Sequence, residues 1–164
     1  MKIPFNKRAL NGVGFLACAG MMGFALFAQH VLKLEPCPMC ILQRAAVISL
    51  GIIFLVAALH DPKQWGGRVY AFLVAAAAAG GLSVSGRHYW IQNLPEDKVP
   101  ACGAGLDYML ETLPLTEVLA KVFMGDGDCA KVVWSFLGLS MPAWVFICVA
   151  VLGGFGIWNN LRRA

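Results

Sequence analysis

Four long stretches without a charged residue constrain this chain more than any other feature of its sequence. Each is 15 to 21 residues long, and they run over Gly12–Val31, Ala45–Leu59, Val69–Gly86 and Met141–Leu161. A helix needs about 20 mainly apolar residues to cross the hydrocarbon core of a bilayer, and fewer when flanking side chains reach the interface. The second stretch reaches that length only if its helix begins at Ile41 and includes Gln43 and Arg44. The sequence therefore predicts four transmembrane helices.

The composition excludes an ordinary soluble fold of this size. Charged residues occupy 13% of the 164 positions and hydrophobic residues 59%, whereas an average soluble domain is charged at about a quarter of its positions. The first stretch exceeds the apolar region of a cleaved signal peptide, about 7–15 residues, so we expect it to be retained. We predict an all-α membrane protein, a four-transmembrane-helix bundle forming one integral-membrane domain over residues 1–164. Its predicted spans lie at about residues 12–31, 41–59, 69–86 and 141–160, with outward loops at about residues 32–40 and 87–140.

The basic residues predict the orientation of the spans. They concentrate in the two tails and in the segment between the second and third spans, at Lys2, Lys7, Arg8, Lys63, Arg68, Arg162 and Arg163. The loop after the first span has Lys33 alone, and the long loop has four basic residues against seven acidic ones. Both termini are therefore expected in the cytoplasm and both loops outside. The net charge of +4 reflects this asymmetry and does not indicate nucleic-acid binding.

The six cysteines divide into two groups. Cys18 and Cys148 lie inside predicted spans, where cysteine commonly serves as a small apolar residue. The other four belong to the outward loops, two to each loop, at Cys37, Cys40, Cys102 and Cys129. An outward compartment is oxidising, so two disulfides are expected. Four cysteines allow three pairings; proximity favours Cys37 with Cys40, which leaves Cys102 with Cys129.

The C-x-x-C pair is better suited to thiol–disulfide exchange than to structural stabilisation. A bridge between Cys37 and Cys40 closes a very small ring and restricts the unfolded chain little. Cys40 lies at the N-terminus of the second predicted helix, where unpaired N–H groups and the helix dipole favour an anion, so it is the candidate thiolate. Arg44 is four residues further on and shares its helix face. A charge inside a span is costly and marks either a functional site or an anchor that reaches lipid phosphates. Beside the C-x-x-C pair, we favour the functional site.

This arrangement suggests electron transfer from a thiolate to a lipid-soluble acceptor. The obvious acceptor is a quinone, to which Arg44 could donate a hydrogen bond. His88, at the outer end of the third predicted span, lies at a similar depth, and His30 competes for the same role.

The long loop contains an amphipathic segment. Its apolar residues recur at helical spacing between Leu106 and Val122, and Pro114 divides the segment into two pieces. We expect it to lie on the outer membrane surface, or alternatively to form a small helical cap. Cys102 stands in the irregular stretch VPACGAG, which a partner could bind in extended form. Cys129 follows GDGD, a turn that would let this loop approach the first.

Four segments of the chain resemble the DsbB family of bacterial inner-membrane disulfide bond formation proteins. They are CPMCILQR, RHYWIQ, PAC and GDCAKVVWSFLGLSMPAW, and the similarity extends over essentially the whole chain. It implies a thiol:quinone oxidoreductase that reoxidises the periplasmic oxidase DsbA and transfers the electrons to ubiquinone or menaquinone. One departure is Gln43, where the best-known member has an acidic residue, which argues against a proton relay at this position.

The resemblance also implies residue roles and a location. Cys102 would form the mixed disulfide with reduced DsbA, and Cys129 would be its pair. Electrons would pass to Cys37 and Cys40, with Cys40 facing the quinone, Arg44 binding it and His88 near the same site. The protein would span the inner membrane several times, with its active loops in the periplasm.

Three rival interpretations remain at this point. A vitamin K epoxide reductase-like enzyme also uses two cysteine pairs and a quinone, but its C-x-x-C lies at a later helix. A metal site is disfavoured, because no Cys/His cluster beyond His30 and His88 is evident, so no metal is expected. A membrane scaffold stabilised by two disulfides would need no electron transfer.

Overall fold

The computed structural model describes residues 6–62, 64–99, 106–125 and 127–162. Within these residues, four helices are long and apolar enough to cross a membrane. They are α1 (Lys7–His30), α2 (Pro38–His60), α3 (Gln64–Gln92) and the last helix, α7 (Met141–Leu161). The predicted four-transmembrane-helix bundle is confirmed.

The four long helices pack in a closed ring in the order α1, α2, α3, α7. Phe54 of α2 lies at the centre of the core, fully buried, with Leu50 and Val74 beside it. Gly14 of α1 and Gly156 of α7 make room for this ring, because a Cβ atom at either position would lie within 3 Å of it. Small residues thus let the helices approach closely around one aromatic side chain.

A cluster of three asparagines joins α1 to α7 at the end of the bundle away from the cysteine pair. Asn11, Asn159 and Asn160 are buried. The Asn159 and Asn160 amides donate to the Asn11 Oδ1 at 3.1 and 3.2 Å, and the Asn11 amide donates to the Asn160 Oδ1 at 3.2 Å. Paired in this way, polar side chains can hold two apolar helices in register.

Short elements between α3 and α7 form a cap on the other end of the bundle. A 3-10 turn, three helices and a hairpin follow one another: Glu96–Lys98, α4 (Leu106–Thr112), α5 (Leu115–Met124), α6 (Gly127–Ala130), β1 (Ser135–Phe136) and β2 (Leu139–Ser140). Met109, Val118 and Val122 of α4 and α5 are buried in one cluster with Met39 of α2 and Ile91 of α3. The predicted amphipathic segment therefore forms two helices that pack against α2 and α3.

The third helix extends further than the sequence predicted. It ends at Gln92 rather than at Gly86, so His88 lies within α3 and does not open the loop. The uncharged stretch ends at Gly86, whereas the helix continues to Gln92, where residues of the cap pack against it. Ile91 is fully buried against Met39 and Cys129.

Candidate active site

The cysteine pair is built into the start of α2. Cys37 is the N-cap residue, and its sulfur accepts the backbone N–H of Cys40 at 3.3 Å. Pro38 follows at the first helical position, where its fixed φ fits and its missing N–H costs no hydrogen bond. The Cys37 and Cys40 sulfurs approach to 2.9 Å. A disulfide bond of about 2.05 Å therefore needs only a small side-chain adjustment.

The long loop brings a third sulfur to this pair. Cys129 of α6 is 1% exposed and belongs to the buried cluster beside Cys37. The Cys37 sulfur, the Cys129 sulfur and a ring nitrogen of His88 all lie within 4.8 Å of one another. The sequence argument against a metal site assumed that no such cluster would form, and that assumption is wrong.

Two hydrogen bonds hold the His88 ring in place. Its Nε2 is 3.1 Å from the Cys129 carbonyl oxygen and 3.7 Å from the Cys37 sulfur, and its Nδ1 is 3.1 Å from the Gln43 amide nitrogen. With Gln43 donating to Nδ1, the ring proton is on Nε2 and is donated to the Cys129 carbonyl. Gln43 is 4% exposed and His88 2% exposed. Each is a buried polar group that has partners, as burial requires.

The thiol cluster keeps Cys37 protonated. Hydrogen bonding with Cys129, hydrogen bonding with Cys40 and burial together hold the pKa of the Cys37 thiol far above its ordinary value. When the pair is reduced, a negative charge is therefore disfavoured at Cys37. Cys40, at the helix N-terminus and four residues from Arg44, is the better position for a thiolate.

An open pocket lies on the α1 and α7 side of Cys40. It has about 620 Å³ of empty space, counted with its open mouth. Most of the lining is apolar and comes from α1, α2 and α7, including Met21, Met22, Val47, Met141 and Val145. The polar lining consists of Glu35, Cys40, Gln43 and Arg44. An apolar cleft with a few polar groups is typical of a site for a small hydrophobic molecule.

Arg44 is held against α1 within this pocket. Its guanidinium donates to the Gln29 Oε1 at 2.5 Å and to the Ala25 carbonyl oxygen at 3.2 Å. These contacts hold the guanidinium against α1 at the edge of the pocket. The sequence analysis missed Gln29. The sequence feature that could have identified Gln29 is a polar side chain near the end of an otherwise apolar stretch.

The structure divides the predicted site residues between two adjoining places. Cys37, Cys129 and His88 form the thiol cluster, and Arg44 lines the pocket. Cys40 also lines the pocket, and its sulfur contacts the cluster through Cys37. His88 is not among the residues that line the pocket, and His30 is exposed at the end of α1. Cys102 lies outside the described residues.

The C-x-x-C pair lies between a buried thiol cluster and an apolar pocket, and it belongs to a four-helix membrane bundle. These features define a membrane-embedded thiol–disulfide oxidoreductase. The sequence matches the family described as disulfide bond formation protein DsbB over residues 7–159. The chain belongs to this family, whose members are disulfide-generating thiol:quinone oxidoreductases. The vitamin K epoxide reductase-like and scaffold interpretations are accordingly set aside.

Similar proteins cover nearly the whole chain. The chain is 52% identical over 150 residues to disulfide bond formation protein B of Nitrosococcus oceani, covering 92% of this chain and 89% of the relative. It is 51% identical over 165 residues to the protein of that name from Methylococcus capsulatus, covering 99% and 100%. For Marinobacter nauticus the identity is 49% over 158 residues, covering 96% and 94%. The chain is therefore a multi-pass inner-membrane protein that works in disulfide bond formation.

Proposed function

We propose that the chain reoxidises a DsbA-type periplasmic oxidase by passing two electrons through Cys102–Cys129, then Cys37–Cys40, to a quinone bound beside Arg44. Both termini are cytoplasmic and both cysteine-bearing loops periplasmic, as the basic residues indicate. The acceptor is ubiquinone or menaquinone. A DsbA-type protein is a strong oxidant, at about −120 mV, so an acceptor of higher potential must drive the sequence.

The first exchange takes place at Cys102. A thiolate of the reduced partner attacks its sulfur in the Cys102–Cys129 disulfide, and a mixed disulfide forms. The second thiol of the partner then resolves the mixed disulfide. The partner leaves oxidised, and Cys102 and Cys129 are left as thiols. Two electrons and two protons have been transferred to this chain.

The second exchange links the two cysteine pairs through Cys37. The Cys129 sulfur lies within 4.8 Å of the Cys37 sulfur, so its thiolate can attack Cys37 in the Cys37–Cys40 disulfide. The bond that breaks releases Cys40 as a thiolate. The helix N-terminus and the positive charge of Arg44 both stabilise that leaving group, and a better leaving group speeds exchange. Cys102 then displaces Cys37 from Cys129, which restores the first disulfide.

The final step oxidises the reduced Cys37–Cys40 pair at the pocket. The two sulfurs form their disulfide again, so the two thiols give up two electrons, through Cys40, and two protons. The quinone would accept the two electrons and two protons, and Arg44 would donate a hydrogen bond to its carbonyl oxygen. The position of Cys40 carries the proposal: its sulfur is 2.9 Å from Cys37 on one side, and it lines the apolar pocket on the other.

Filling the pocket tests where the quinone binds. Val145 of α7 lines the pocket, so Val145→Trp should occupy the space of the ring and raise the KM for quinone at least about tenfold. Oxidation of the reduced partner by one equivalent of the protein, without added quinone, should proceed at the normal rate. Quinone reduction kinetics in detergent measure the first quantity, and partner thiol loss measures the second.

Val151→Trp is the matched control. Val151 lies on the same helix, is 64% exposed and does not line the pocket, so this variant should keep the normal KM. If Val145→Trp and Val151→Trp give the same KM as the unaltered protein, the quinone binds elsewhere.

Replacing His88 distinguishes two roles for this residue. The hydrogen bond from His88 to the Cys129 carbonyl holds Cys129 beside Cys37, so His88→Ala should slow the exchange between the two pairs about tenfold. The KM for quinone should change little, because His88 does not line the pocket. A raised KM with an unchanged exchange rate would instead support quinone binding by His88. Rapid-quench thiol labelling measures the exchange rate.

A further inference from the structure

The cluster beside α2 combines three groups that bind soft divalent metals, and a fourth such group, the Cys40 thiol, adjoins it. The Cys37 sulfur is 2.9 Å from the Cys40 sulfur and 3.7 Å from the His88 Nε2. The Cys129 sulfur lies within 4.8 Å of both Cys37 and the histidine nitrogen. The Cys37 sulfur, the Cys129 sulfur and the imidazole nitrogen thus converge on one buried point, and the Cys40 sulfur adjoins it through Cys37.

These spacings fit a tetrahedral zinc ion. With Zn–S bonds of about 2.3 Å and Zn–N bonds of about 2.0 Å, tetrahedral ligand atoms lie about 3.5–3.8 Å apart. The Cys37, Cys129 and His88 atoms lie within 4.8 Å of one another, so small side-chain movements bring these three to coordinating positions. Rotation of the Cys40 side chain, whose sulfur is 2.9 Å from that of Cys37, would supply the fourth ligand. A Cys₃His set with no open position matches structural zinc sites rather than catalytic ones.

Gln43 provides the support that a ligating histidine needs. When Nε2 coordinates a metal, the ring proton moves to Nδ1, which requires an acceptor. The Gln43 amide is 3.1 Å from Nδ1. If the side-chain amide of Gln43 rotates by half a turn, its Oε1 faces Nδ1 and accepts that proton in a hydrogen bond. The hydrogen bond from Nε2 to the Cys129 carbonyl is given up.

We propose that the protein with these three cysteines reduced binds one Zn²⁺ through Cys37, Cys40, Cys129 and His88, and that the metal blocks disulfide exchange while bound. Binding releases the thiol protons and changes no oxidation state. A disulfide between Cys37 and Cys40 removes two of the ligands, so the oxidised protein does not form the site. Zinc would thus bind only during the part of the cycle when the thiols are free. This inference rests on the cluster geometry and does not depend on which quinone accepts the electrons.

Cobalt titration tests the site directly. The Cys102→Ser protein is purified in detergent, reduced with a phosphine and titrated with Co²⁺ without oxygen. We expect one Co²⁺ per chain, thiolate-to-cobalt absorption, the visible bands of tetrahedral coordination, and loss of these bands when Zn²⁺ is added. His88→Ala and Cys37→Ser should each weaken Co²⁺ binding about tenfold or more and change the spectrum, whereas Cys148→Ala, a cysteine of α7 outside the cluster, should leave both unchanged.

Two Gln43 variants make the test sharper. Gln43→Met removes the acceptor for Nδ1–H and should weaken Co²⁺ binding about tenfold or more, while Gln43→Glu should strengthen it. Circular dichroism of each variant establishes that the helices are intact. The proposal is overturned if the folded, reduced protein gives no tetrahedral spectrum. It is also overturned if the oxidised protein or His88→Ala gives the same spectrum as the reduced parent.

Discussion

Replacing Cys40 with serine should abolish quinone reduction, with kcat falling at least about a thousandfold. Among the described residues, Cys40 is the only one whose sulfur contacts Cys37 and that also lines the pocket. A serine hydroxyl cannot form the disulfide with Cys37, so electrons that reach the cluster have no path to the acceptor. Steady-state quinone reduction with a reduced DsbA-type partner measures the loss.

A second readout separates this chemical defect from misfolding. With Cys40 absent, the free Cys37 thiol can attack Cys129 in its disulfide, because the two sulfurs lie within 4.8 Å. The variant should therefore contain a measurable fraction of a Cys37–Cys129 disulfide, detected by mass spectrometry of peptides prepared without reduction. Cys148→Ser should reduce quinone normally. Retained turnover in Cys40→Ser would contradict the proposed route.

Replacing Arg44 with methionine should raise the KM for quinone about 10- to 100-fold. A hydrogen bond to a charged group contributes about 1.5–3 kcal/mol, which corresponds to that range. The release of Cys40 thiolate should also slow, since its neighbouring cation is gone. Arg44→Lys keeps the charge but loses the two-directional contact with Gln29 and the Ala25 carbonyl, and should recover only part of the affinity. Quinone-dependent kinetics with each variant give both parameters.

Arg87 supplies the matched control for this variant. It lies at the same end of the bundle, stacks over the Trp90 ring at 4.5 Å and does not line the pocket. Arg87→Met should keep the normal KM. If Arg44→Met and Arg87→Met behave alike, the guanidinium of Arg44 acts as an interfacial charge and does not bind the quinone.

The spacing of residues along α2 predicted the part of the site that this one helix contributes. Cys40 and Arg44 are four residues apart, so helical periodicity alone places them on one face, and both line the pocket. The lengths of the uncharged stretches likewise predicted the four long helices. Signals of this kind depend on residues close together in sequence.

Contacts between distant segments could not be predicted from the sequence. The approach of Cys129 and His88 to Cys37 depends on how α6 docks against α2 and α3, and the contact between Gln29 and Arg44 depends on how α1 packs against α2. No periodicity encodes such packing. The resemblance implied that His88 lies near the quinone, and the sequence alone did not reveal that the fold brings His88 beside Cys37 and Cys129.

Coupled turnover tests the central claim most directly. The oxidised protein, purified in detergent, is mixed with a reduced DsbA-type oxidase and a short-chain ubiquinone, and both partner thiols and quinone are followed. The proposed path predicts catalytic turnover with one quinone reduced for each pair of thiols oxidised, because every disulfide carries two electrons. A folded protein that holds both disulfides, yet reduces neither ubiquinone nor menaquinone, would contradict it.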